Sequence, residues 1–520
     1  MSLLTEYVSY ADAQTQFDRA RLWDLFDGDR ERFNIAHECV DRHARAGAGI
    51  ALQIAHADGR DEVVDFATLA RRSAQMAHFL QARGIGHGDR VAVILEPSLA
   101  YYAALFGILR LGAVAVPLFT LFGPDGIRLR VADCAPRLIL AAPEKAADAT
   151  GIGAEVVVTD AALLAGLDTF PGEFEPATAG DDLAVLQYTS GTTRQLPAAV
   201  RHSHRSIVTL MTAALYGTGI RPGDRFFCPS SPAWGHGLWH GTLAPLALGV
   251  PTGTFSGRFD PVRLLHALSD FGITNISAAA THYRMMRTSG AAPDFSYAVE
   301  KASFTGEPID GETGAFIEQT FGTRVCSMYG TPEIGVILAC YPGAPDFPAR
   351  AGSLGKPLPG IEVSVHRPDG TDAAAGEVGE LMLHRSGDWV STKDRGWIDE
   401  DGYFHHAGRA DDVIISAGWT MGAVEIEDAI LRHADVLAAA VIGVPDETRG
   451  QVVKAFIVAR DGGRPGLDTE IQDFVRARLS RHEYPRQIEF VDSLPTTPAG
   501  KINRRALREQ NGLRVAAGQH

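Results

Sequence analysis

Apolar strand-like segments alternate with longer helix-like segments through the first part of the chain. Residues 90–97 (RVAVILEP) form a short apolar run, residues 99–112 (LAYYAALFGILRLG) suit a buried helix, and residues 113–118 (AVAVPL) are strand-like again. Residues 138–142 and 155–159 repeat the strand pattern, with alanine-rich helical segments around them. Strands that alternate with helices form parallel sheets covered by helices. The pattern therefore predicts an α/β fold of stacked sheets and helices.

Chain length and a change of composition indicate more than one domain. The 520 residues exceed the roughly 250–300 at which a single core stops growing. From Gly352 onward, glycine-rich turns and polar strands predict a small β-rich subdomain. We place the boundary between residues 410 and 411, which gives a large N-terminal domain, 1–410, and a small α+β C-terminal domain, 411–520. The C-terminal domain is read as helix, strand, strand, helix and strand, in the segments EIEDAILRH (425–433), AAAVIGVP (438–445), VVKAFIVAR (452–460), DTEIQDFVRARLSRH (468–482) and QIEFVD (487–492).

Charge and cysteine content exclude several classes of protein. The chain carries 48 Lys and Arg against 63 Asp and Glu, a net charge of -15, which disfavours binding to nucleic acid or to an anionic membrane. A local pocket can still hold a small anion. Five scattered cysteines without a CxxC pair indicate neither a disulfide framework nor a zinc site. The N-terminus lacks a basic and then apolar leader, and the apolar stretch 99–122 is interrupted by Arg110 and Pro117, so we expect a soluble cytoplasmic protein.

The most informative stretch is LQYTSGTTRQLPAAVRHSH, residues 186–204, where an apolar strand runs into a hydroxyl-rich loop. Hydroxyl donors around a glycine suit the phosphates of a nucleotide. A Ser/Thr-rich surface turn is the alternative, and the Gly-Lys-Ser/Thr of a Walker A loop is missing. The loop residues are Thr189, Ser190, Gly191, Thr192 and Thr193.

This stretch resembles the first signature of the adenylate-forming superfamily, approximately YTSGTTGxPKG, of which YTSGTT is matched residue for residue. The superfamily includes acyl-CoA synthetases, peptide-synthetase adenylation domains and luciferases. The resemblance extends from about residue 84 to residue 507, and the other motifs follow in the family's order. They are FTGEPID (304–310), SMYGTPEIG (327–335), STKDRGWIDEDGYFHHAGRADDVI (391–414), SAGWTMGAVEIEDAI (416–430) and PTTPAGKINRRAL (495–507).

The resemblance implies an enzyme that uses ATP and Mg²⁺ to activate a carboxylic acid and CoA to accept the acyl group. Lys501 would lie across the carboxylate and the α-phosphate, Glu333 would hold Mg²⁺, and Arg409 would contact the ribose region. These three are the implied catalytic residues. The implied ATP- and AMP-binding residues are Thr189, Ser190, Gly191, Thr192, Thr193, Gly306, Glu307, Pro308, Tyr329, Gly330, Thr331, Asp394 and Arg409.

The same resemblance implies an acyl pocket, an acceptor site and a mobile C-terminal domain. Trp234 and His236 lie where the family builds its acyl pocket, although a histidine packed in the core is the alternative for His236. Gly330 replaces a tryptophan of acetate-type enzymes, which implies room for a larger acyl group. Gly418 and Trp419 would admit the pantetheine arm of CoA, and Asp411 would be the hinge about which the C-terminal domain rotates. Residues 278–286 (AAATHYRMM) suit a second pocket wall or plain core.

Three departures from the family pattern keep other functions open. Ala198 stands where the family has a phosphate-contacting lysine, which Arg194, Arg201 or Arg205 could replace. Pro332 precedes Glu333 where the family has threonine, and Thr420 replaces a usual arginine of the glycine loop. The leading hypothesis is an acid–thiol ligase for a medium-sized or bulky aliphatic, cyclic or aromatic acid. The alternatives are an enzyme that loads a carrier protein or another acceptor, and a nucleotide-binding protein with impaired catalysis; monomer and homodimer both stay open.

Overall fold

The computed structural model describes residues 3–188, 199–331, 334–409, 413–416, 419–446, 450–479, 484–497 and 502–511. The chain divides into two compact units, Met1–Gly360 and Ile361–His520. The β-rich segment that we predicted to begin at Gly352 therefore lies mostly in the second unit. The predicted boundary at residues 410 and 411, with its hinge at Asp411, lies outside the described residues and stays a prediction.

The first unit contains two sheets and the helices that cover them. Its strands are β1 (Ile50–His56), β2 (Asp61–Asp65), β3 (Arg90–Ile94), β4 (Val114–Pro117), β5 (Leu138–Ala141), β6 (Glu155–Val158), β7 (Leu183–Tyr188), β8 (Ala199–Ser203), β9 (Phe226–Phe227), β10 (Thr252–Ser256), β11 (Asn275–Ala279), β12 (Lys301–Thr305), β13 (Val325–Thr331), β14 (Gly335–Ala339) and β15 (Ser353–Pro357). Its α-helices are α1 (Tyr10–Gln16), α2 (Arg42–Arg45), α3 (Phe66–Ala82), α4 (Leu99–Arg110), α5 (Pro124–Cys134), α6 (Pro143–Ala149), α7 (Ala161–Gly166), α8 (Ser206–Tyr216), α9 (Ala244–Ala247), α10 (Pro261–Asp270), α11 (Ala280–Ser289) and α12 (Gly311–Phe321). The first unit also contains two π-helices, His37–Asp41 and His236–Leu243.

Both sheets of the first unit have parallel centres. The smaller sheet has the order β6-β5-β3-β4-β7-β8, and only β8 at its edge is antiparallel to its neighbour. In the larger one β13, β12, β11, β9, β10 and β1 run parallel, and β14, β15 and β2 add antiparallel strands at the two ends. Strands buried on both faces read as continuous apolar runs, which is why the sequence signalled β3, β4 and β5 clearly. The predicted α/β fold is confirmed.

The arginine that interrupts the apolar helix of the sequence is itself buried. Arg110, at the end of α4, is 3% exposed and donates to both carboxylate oxygens of Asp41, at 2.6 and 2.7 Å. It also donates to Ser73 Oγ of α3 at 2.9 Å. The two helices pack so closely that a Cβ on Gly107 would lie 2.8 Å from Met76 Cγ. A buried charge needs a carboxylate partner of this kind. Arg110 therefore connects α4 to α3 in the interior and does not lie at the protein surface.

The second unit is an α+β unit with two sheets. Its strands are β16 (Glu362–His366), β17 (Gly379–Arg385), β18 (Asp388–Ile398), β19 (Phe404–Arg409), β20 (Val413–Ser416), β21 (Trp419–Gly422), β22 (Val436–Asp446), β23 (Gly450–Ala459) and β24 (Gln487–Phe490), and its helices are α13 (Ala423–Leu431), α14 (Leu467–Arg478) and α15 (Arg504–Gln510). Strands β16 to β19 form an antiparallel meander. The second sheet has the order β21-β20-β23-β22, with β24 beside β23. All five predicted elements of this region, from α13 to β24, are present.

The described part of the chain contains no helix that is long and apolar enough to cross a bilayer. Helix α4, the core of the longest apolar stretch, has 12 residues, and a span needs about 20.

Several histidines of the first unit are buried or half-buried and form no ion pair with a carboxylate within the described residues. Burial lowers the pKa of His202, His204, His240 and His282 to about 4 from an ordinary value of 6.5, and burial with help from Arg42 does the same to His43. The cause is desolvation, which disfavours the charged imidazolium. Between pH 6.5 and about 4, the folded protein therefore keeps these rings neutral, whereas the unfolded chain protonates them.

We expect stability to fall as the pH is lowered from about 6.5 towards 4. Depressed histidine pKa values contribute stability above the unfolded value of 6.5, and this stability is lost while the unfolded chain takes up protons that the folded chain refuses. The free energy of unfolding should drop by more than about 2 kcal/mol between pH 7 and pH 5. Urea midpoints measured across this range test the expectation, because most carboxylates titrate below it. A constant midpoint would contradict it.

Candidate active site

The carboxyl ends of five parallel strands meet at one edge of the larger sheet. Strands β9, β10, β11, β12 and β13 run in the same direction, so the residues that follow each of them lie along this edge. In open α/β sheets, ligands bind in the crevice outside the carboxyl ends. The residues placed there are Ser230 after β9, Phe259 after β10, His282 after β11, Gly306 after β12 and Tyr329 within the end of β13.

His236, predicted to line the acyl pocket, is fixed by side chains from two neighbouring elements. It opens the π-helix and is 5% exposed. Its Nδ1 lies 3.0 Å from Ser230 Oγ and 3.7 Å from Cys228 Sγ, and its Nε2 lies 2.8 Å from Ser277 Oγ on β11. Burial lowers the pKa of His236 well below its ordinary value. Both ring nitrogens are therefore engaged, and His236 is a neutral ring held at the edge of the sheet.

Trp234 precedes the π-helix and packs beside this ring. Its indole meets the imidazole of His236 edge-on, with ring centroids 5.5 Å apart. Further along the π-helix, Trp239 Nε1 donates to Gln187 Oε1 of β7 at 2.9 Å. The π-helix therefore brings the predicted acyl residues together and also contacts the strand that leads into the hydroxyl-rich loop.

Two further histidines reach this region, and the sequence analysis did not single them out. The ring of His240 lies 6.1 Å from that of His236, centroid to centroid. His282, in the first turn of α11, packs against Phe259 with centroids 4.6 Å apart. Two features of the sequence could have pointed to them. His240 follows His236 by four residues, the spacing of neighbours on a helix, and His282 lies within the predicted pocket wall at 278–286. Neither feature indicates that the π-helix and α11 come together in the fold.

The segment after β12 presents its backbone while its acidic side chains are engaged. Gly306 has φ +96°, a conformation that other residues rarely adopt. Glu307 accepts from Arg284 Nη2 at 2.8 Å and from the hydroxyl of Thr281, both on α11. Asp310 caps α12 through the N–H of Thr313. This arrangement agrees with a segment that contacts adenine through its backbone, with Pro308 exposed beside it, although that role stays a prediction.

Gly330 has a structural reason of its own to be glycine. It pairs with Val336 across the β13–β14 hairpin, next to a register shift. A Cβ at this position would collide with the carbonyl oxygen of Gly335 and lie 2.6 Å from Val336 Cα. Tyr329 and Thr331 on either side are half-buried. The absence of a side chain is thus required by the hairpin, and the predicted room for a larger acyl group is a separate, untested role.

In the second unit, Asp394 lies on β18 opposite Arg409 of β19. Its side chain is buried, and His406 Nε2 lies 3.7 Å from its Oδ1. Its backbone N–H donates to Thr392 Oγ1 at 3.1 Å. Lys393 before it has φ +62°, which is uncommon for a residue with a side chain. The strand pairing places the backbones of Asp394 and Arg409 opposite each other, and their shared role at the ribose stays a prediction.

The remaining predicted residues lie outside the described part of the chain. Strand β7 ends at Tyr188, so the hydroxyl-rich loop leaves the carboxyl edge of the smaller sheet. Arg205 pairs with Asp181 at 2.7 Å, before β7 begins. Ala199, the first residue of β8, pairs with Tyr188 at the other end of β7, so Arg205 is badly placed to replace a lysine at position 198. Of the predicted residues, the structure does not describe Thr189, Ser190, Gly191, Thr192, Thr193, Glu333, Asp411, Gly418 and Lys501, nor the side chains of Arg409 and Trp419.

A group with the spacing of metal ligands occurs elsewhere, in the second unit. It consists of His433, Asp435 and Glu470. Arg464 already pairs with Asp435 at 3.2 Å and with Glu470 at 2.5 Å. Both carboxylates are therefore already paired with an arginine, and the predicted Mg²⁺ ligand remains Glu333.

The comparisons with known proteins agree with one another over nearly the whole chain. A family model described as AMP-binding enzyme matches residues 40–391, and one described as AMP-binding enzyme C-terminal domain matches residues 425–501. The chain is 30% identical to an uncharacterized acyl–CoA ligase, YtcI, of Bacillus subtilis, over 92% of this chain and 96% of that protein. It is 32% identical to the fatty acid–[acyl-carrier-protein] ligase ScoC of Streptomyces coeruleorubidus, over 85% and 90%. The anthranilate CoA ligase AuaEII in complex with anthranoyl-AMP superposes with a TM-score of 0.84 at 25% identity, over 95% and 99% of the two chains.

Replacing Gly330 by alanine should destabilise the protein. The new methyl group meets backbone atoms of β14 that cannot move without disturbing the hairpin, and overpacking of this kind costs about 1–3 kcal/mol. Gly314→Ala is the matched control, because a Cβ at Gly314 on α12 meets open space and alanine favours a helix. Thermal denaturation should show a lower melting temperature for G330A and no decrease for G314A. Equal melting temperatures would contradict this account.

Proposed function

The chain belongs to the AMP-binding enzyme family, and from that premise we propose that it is an ATP-dependent acid–thiol ligase. It activates a medium-sized or bulky carboxylic acid as an acyl-adenylate and transfers the acyl group to CoA. The observation that carries the proposal is the match to acyl–CoA ligases over nearly the full chain, with both family models present in order. The arrangement of His236, Gly306 and Tyr329 along one sheet edge supports it.

In the proposed first step, a carboxylate oxygen of the acid attacks the α-phosphorus of ATP and pyrophosphate leaves. Lys501 would neutralise charge on both reacting groups, and the loop Thr189–Thr193 would hold the phosphates. Asp394 and Arg409 would bind the ribose, and residues 306–308 would flank adenine. Glu333 would hold Mg²⁺, which screens phosphate charge when bound.

In the proposed second step, the thiol of CoA attacks the carbonyl carbon of the adenylate and AMP leaves. Gly418 and Trp419 would border the path of the pantetheine arm. Rotation of the C-terminal domain about Asp411 would remove the face that carries Lys501 from the active site and bring in the face that carries Gly418 and Trp419. The carrier-protein ligase among the relatives and Thr420 in place of an arginine favour a second candidate, in which a carrier protein is the acceptor. The third hypothesis, impaired catalysis, is disfavoured because Lys501, Glu333, Asp394 and Arg409 are all retained.

The nature of the acyl site supports an uncharged acyl group of some size. Trp234, His236 and Met286 belong to the two segments that flank it, and all the imidazoles there are neutral. Relatives and structural neighbours carry names that include 4-hydroxybutyrate, benzoate and anthranilate. This range supports the proposed class without selecting one member of it.

Pyrophosphate release measured with ATP, Mg²⁺ and a panel of carboxylic acids, each with and without CoA, tests the proposal. A ligase gives acid-dependent release that turns over faster with CoA, and acyl-CoA is then found by mass spectrometry. Release that stops near one equivalent per enzyme despite CoA would favour the carrier-protein acceptor. The absence of release with every acid would contradict both.

Lys501→Ala should lower the rate of adenylate formation by about 10²–10³. Removal of one charge-stabilising group from a preorganised site has an effect of this size. Lys145→Ala is a control, because Lys145 on α6 pairs with Asp148 at 3.2 Å and has no predicted role. Single-turnover pyrophosphate release should be lost in K501A and kept in K145A. A normal rate in K501A would show that the C-terminal motif has been misassigned.

A further inference from the structure

Three imidazoles lie near the carboxyl edge, where the proposed function places the acyl group. The rings of His236 and His240 are 6.1 Å apart, and His282 is near enough to His236 to contribute to lowering its pKa. His236 and His240 come from the π-helix, and His282 comes from α11. Within the described residues, none of the three pairs with a carboxylate. The three rings therefore form a polar wall without charge, which we call the imidazole wall.

The three rings differ in how much of their hydrogen-bonding capacity is used. A neutral imidazole has one donor and one acceptor. His236 uses both, through Ser230 and Ser277. This ring is saturated by the protein and acts as a fixed part of the wall.

His240 is the opposite case. Its Nδ1 is covered from solvent and has no hydrogen-bond partner in the described part of the chain, while the residue as a whole is only half-buried. The ring therefore has unused hydrogen-bonding capacity. A covered polar atom without a partner is uncommon in folded proteins and usually indicates a bound water or ligand.

His282, which lies on α11, adds a hydrogen-bond donor to the imidazole wall. Its Nδ1 accepts from the backbone N–H of Ala279 at 3.3 Å, so the ring hydrogen belongs on Nε2. The described residues offer this Nε2–H no acceptor. The ring lies against Phe259, so the donor borders an aromatic surface on which a flat or aliphatic group can pack.

The surroundings disfavour a second charge on the substrate. Arg284, two residues beyond His282, is the cation of this helix turn, and it is already committed to Glu307 at 2.8 Å and to Asp310 at 3.6 Å. Burial keeps the pKa of His240 and His282 at about 4. A carboxylate or an ammonium group between these rings would therefore lose hydration without gaining a charged partner from the imidazoles or from Arg284.

Resting on the proposed function, we infer that the acid carries an uncharged hydrogen-bonding substituent, such as a hydroxyl, a keto group or an aromatic amine, at the end of the acyl group that meets His240 and His282. A purely hydrocarbon acyl group would leave both rings unsatisfied. A group that donates and accepts fits the unused capacity of the two rings.

Matched series of acids test this inference in the pyrophosphate-release assay at pH 7.5. One series is benzoate with its 2-, 3- and 4-hydroxy and amino derivatives, and the other is hexanoate with 4-, 5- and 6-hydroxyhexanoate. Adipate and terephthalate supply the charged members. In at least one series the best hydroxy or amino acid should exceed its parent in kcat/KM by about threefold to tenfold, the value of a neutral hydrogen bond. The dicarboxylates should not exceed the parent. A parent preferred over every substituted acid would overturn the inference.

Variants locate the preference in the imidazole wall. His240→Phe keeps a flat ring without nitrogens, so the ratio of kcat/KM for the substituted acid to that for its parent should fall towards one. His240→Asn keeps a polar group and should retain part of the ratio. His43→Phe is the matched control, because His43 is half-buried with a pKa also lowered to about 4 but lies beside Ala247, before β10 begins. It should keep the wild-type ratio.

The outcomes separate the inference from the proposed function. If wild type activates acids but H240F lowers the rates for the substituted acid and its parent equally, the ring has only a packing role and the inference fails. A ratio that survives in both H240F and His282→Phe also overturns it. If no acid releases pyrophosphate with wild type, the proposed function itself fails. Melting temperatures identify a variant that does not fold. In that case the inference is decided by the wild-type enzyme alone, from the kcat/KM of the substituted acids relative to that of their parent acids.

Discussion

The common direction of five strands in the larger sheet is the constraint on which the candidate site depends. Because β9 to β13 run parallel, segments that are up to 93 residues apart in sequence, from 236 to 329, meet at the same edge of the sheet. This edge receives His236, His282, Gly306 and Tyr329. Parallel strands need crossover helices, and those helices bury the strands on both faces. The same geometry therefore builds the core and assembles the site.

The first unit also buries ionisable side chains, and it does so in two different ways. The buried Arg110 is matched by a carboxylate, whereas burial keeps His236, His240 and His282 uncharged. Arg110 is paired with Asp41 and donates to Ser73. The ring nitrogens of His236, in contrast, lie next to two hydroxyls and a thiol. Low local polarity of this kind strengthens hydrogen bonds to a ligand and penalises a misplaced charge. An acyl site of this character discriminates between substituents more by hydrogen bonding than by charge.

Two residues illustrate how a family resemblance and a structure inform each other. The resemblance assigned Gly330 to pocket size, whereas its surroundings show that the β13–β14 hairpin excludes any side chain there. Arg205 was a possible substitute for the missing lysine at position 198, but its pairing with Asp181 places it at the opposite end of β7. In both cases the contacts of the residue come from neighbouring segments and were not visible in the motif itself.

The amino-acid sequence by itself determined the α/β class, the elements from α13 to β24 and the identity of the motif residues. These follow from local periodicity, from apolar strands buried on both faces, and from residue types that phosphate and carboxylate chemistry requires. Only the tertiary structure decided that His240 and His282 face the same region as His236, that Glu307 is held by α11, and that Gly330 serves a hairpin. Such facts depend on contacts between distant segments, and the strand order that creates those contacts is not encoded in any single segment.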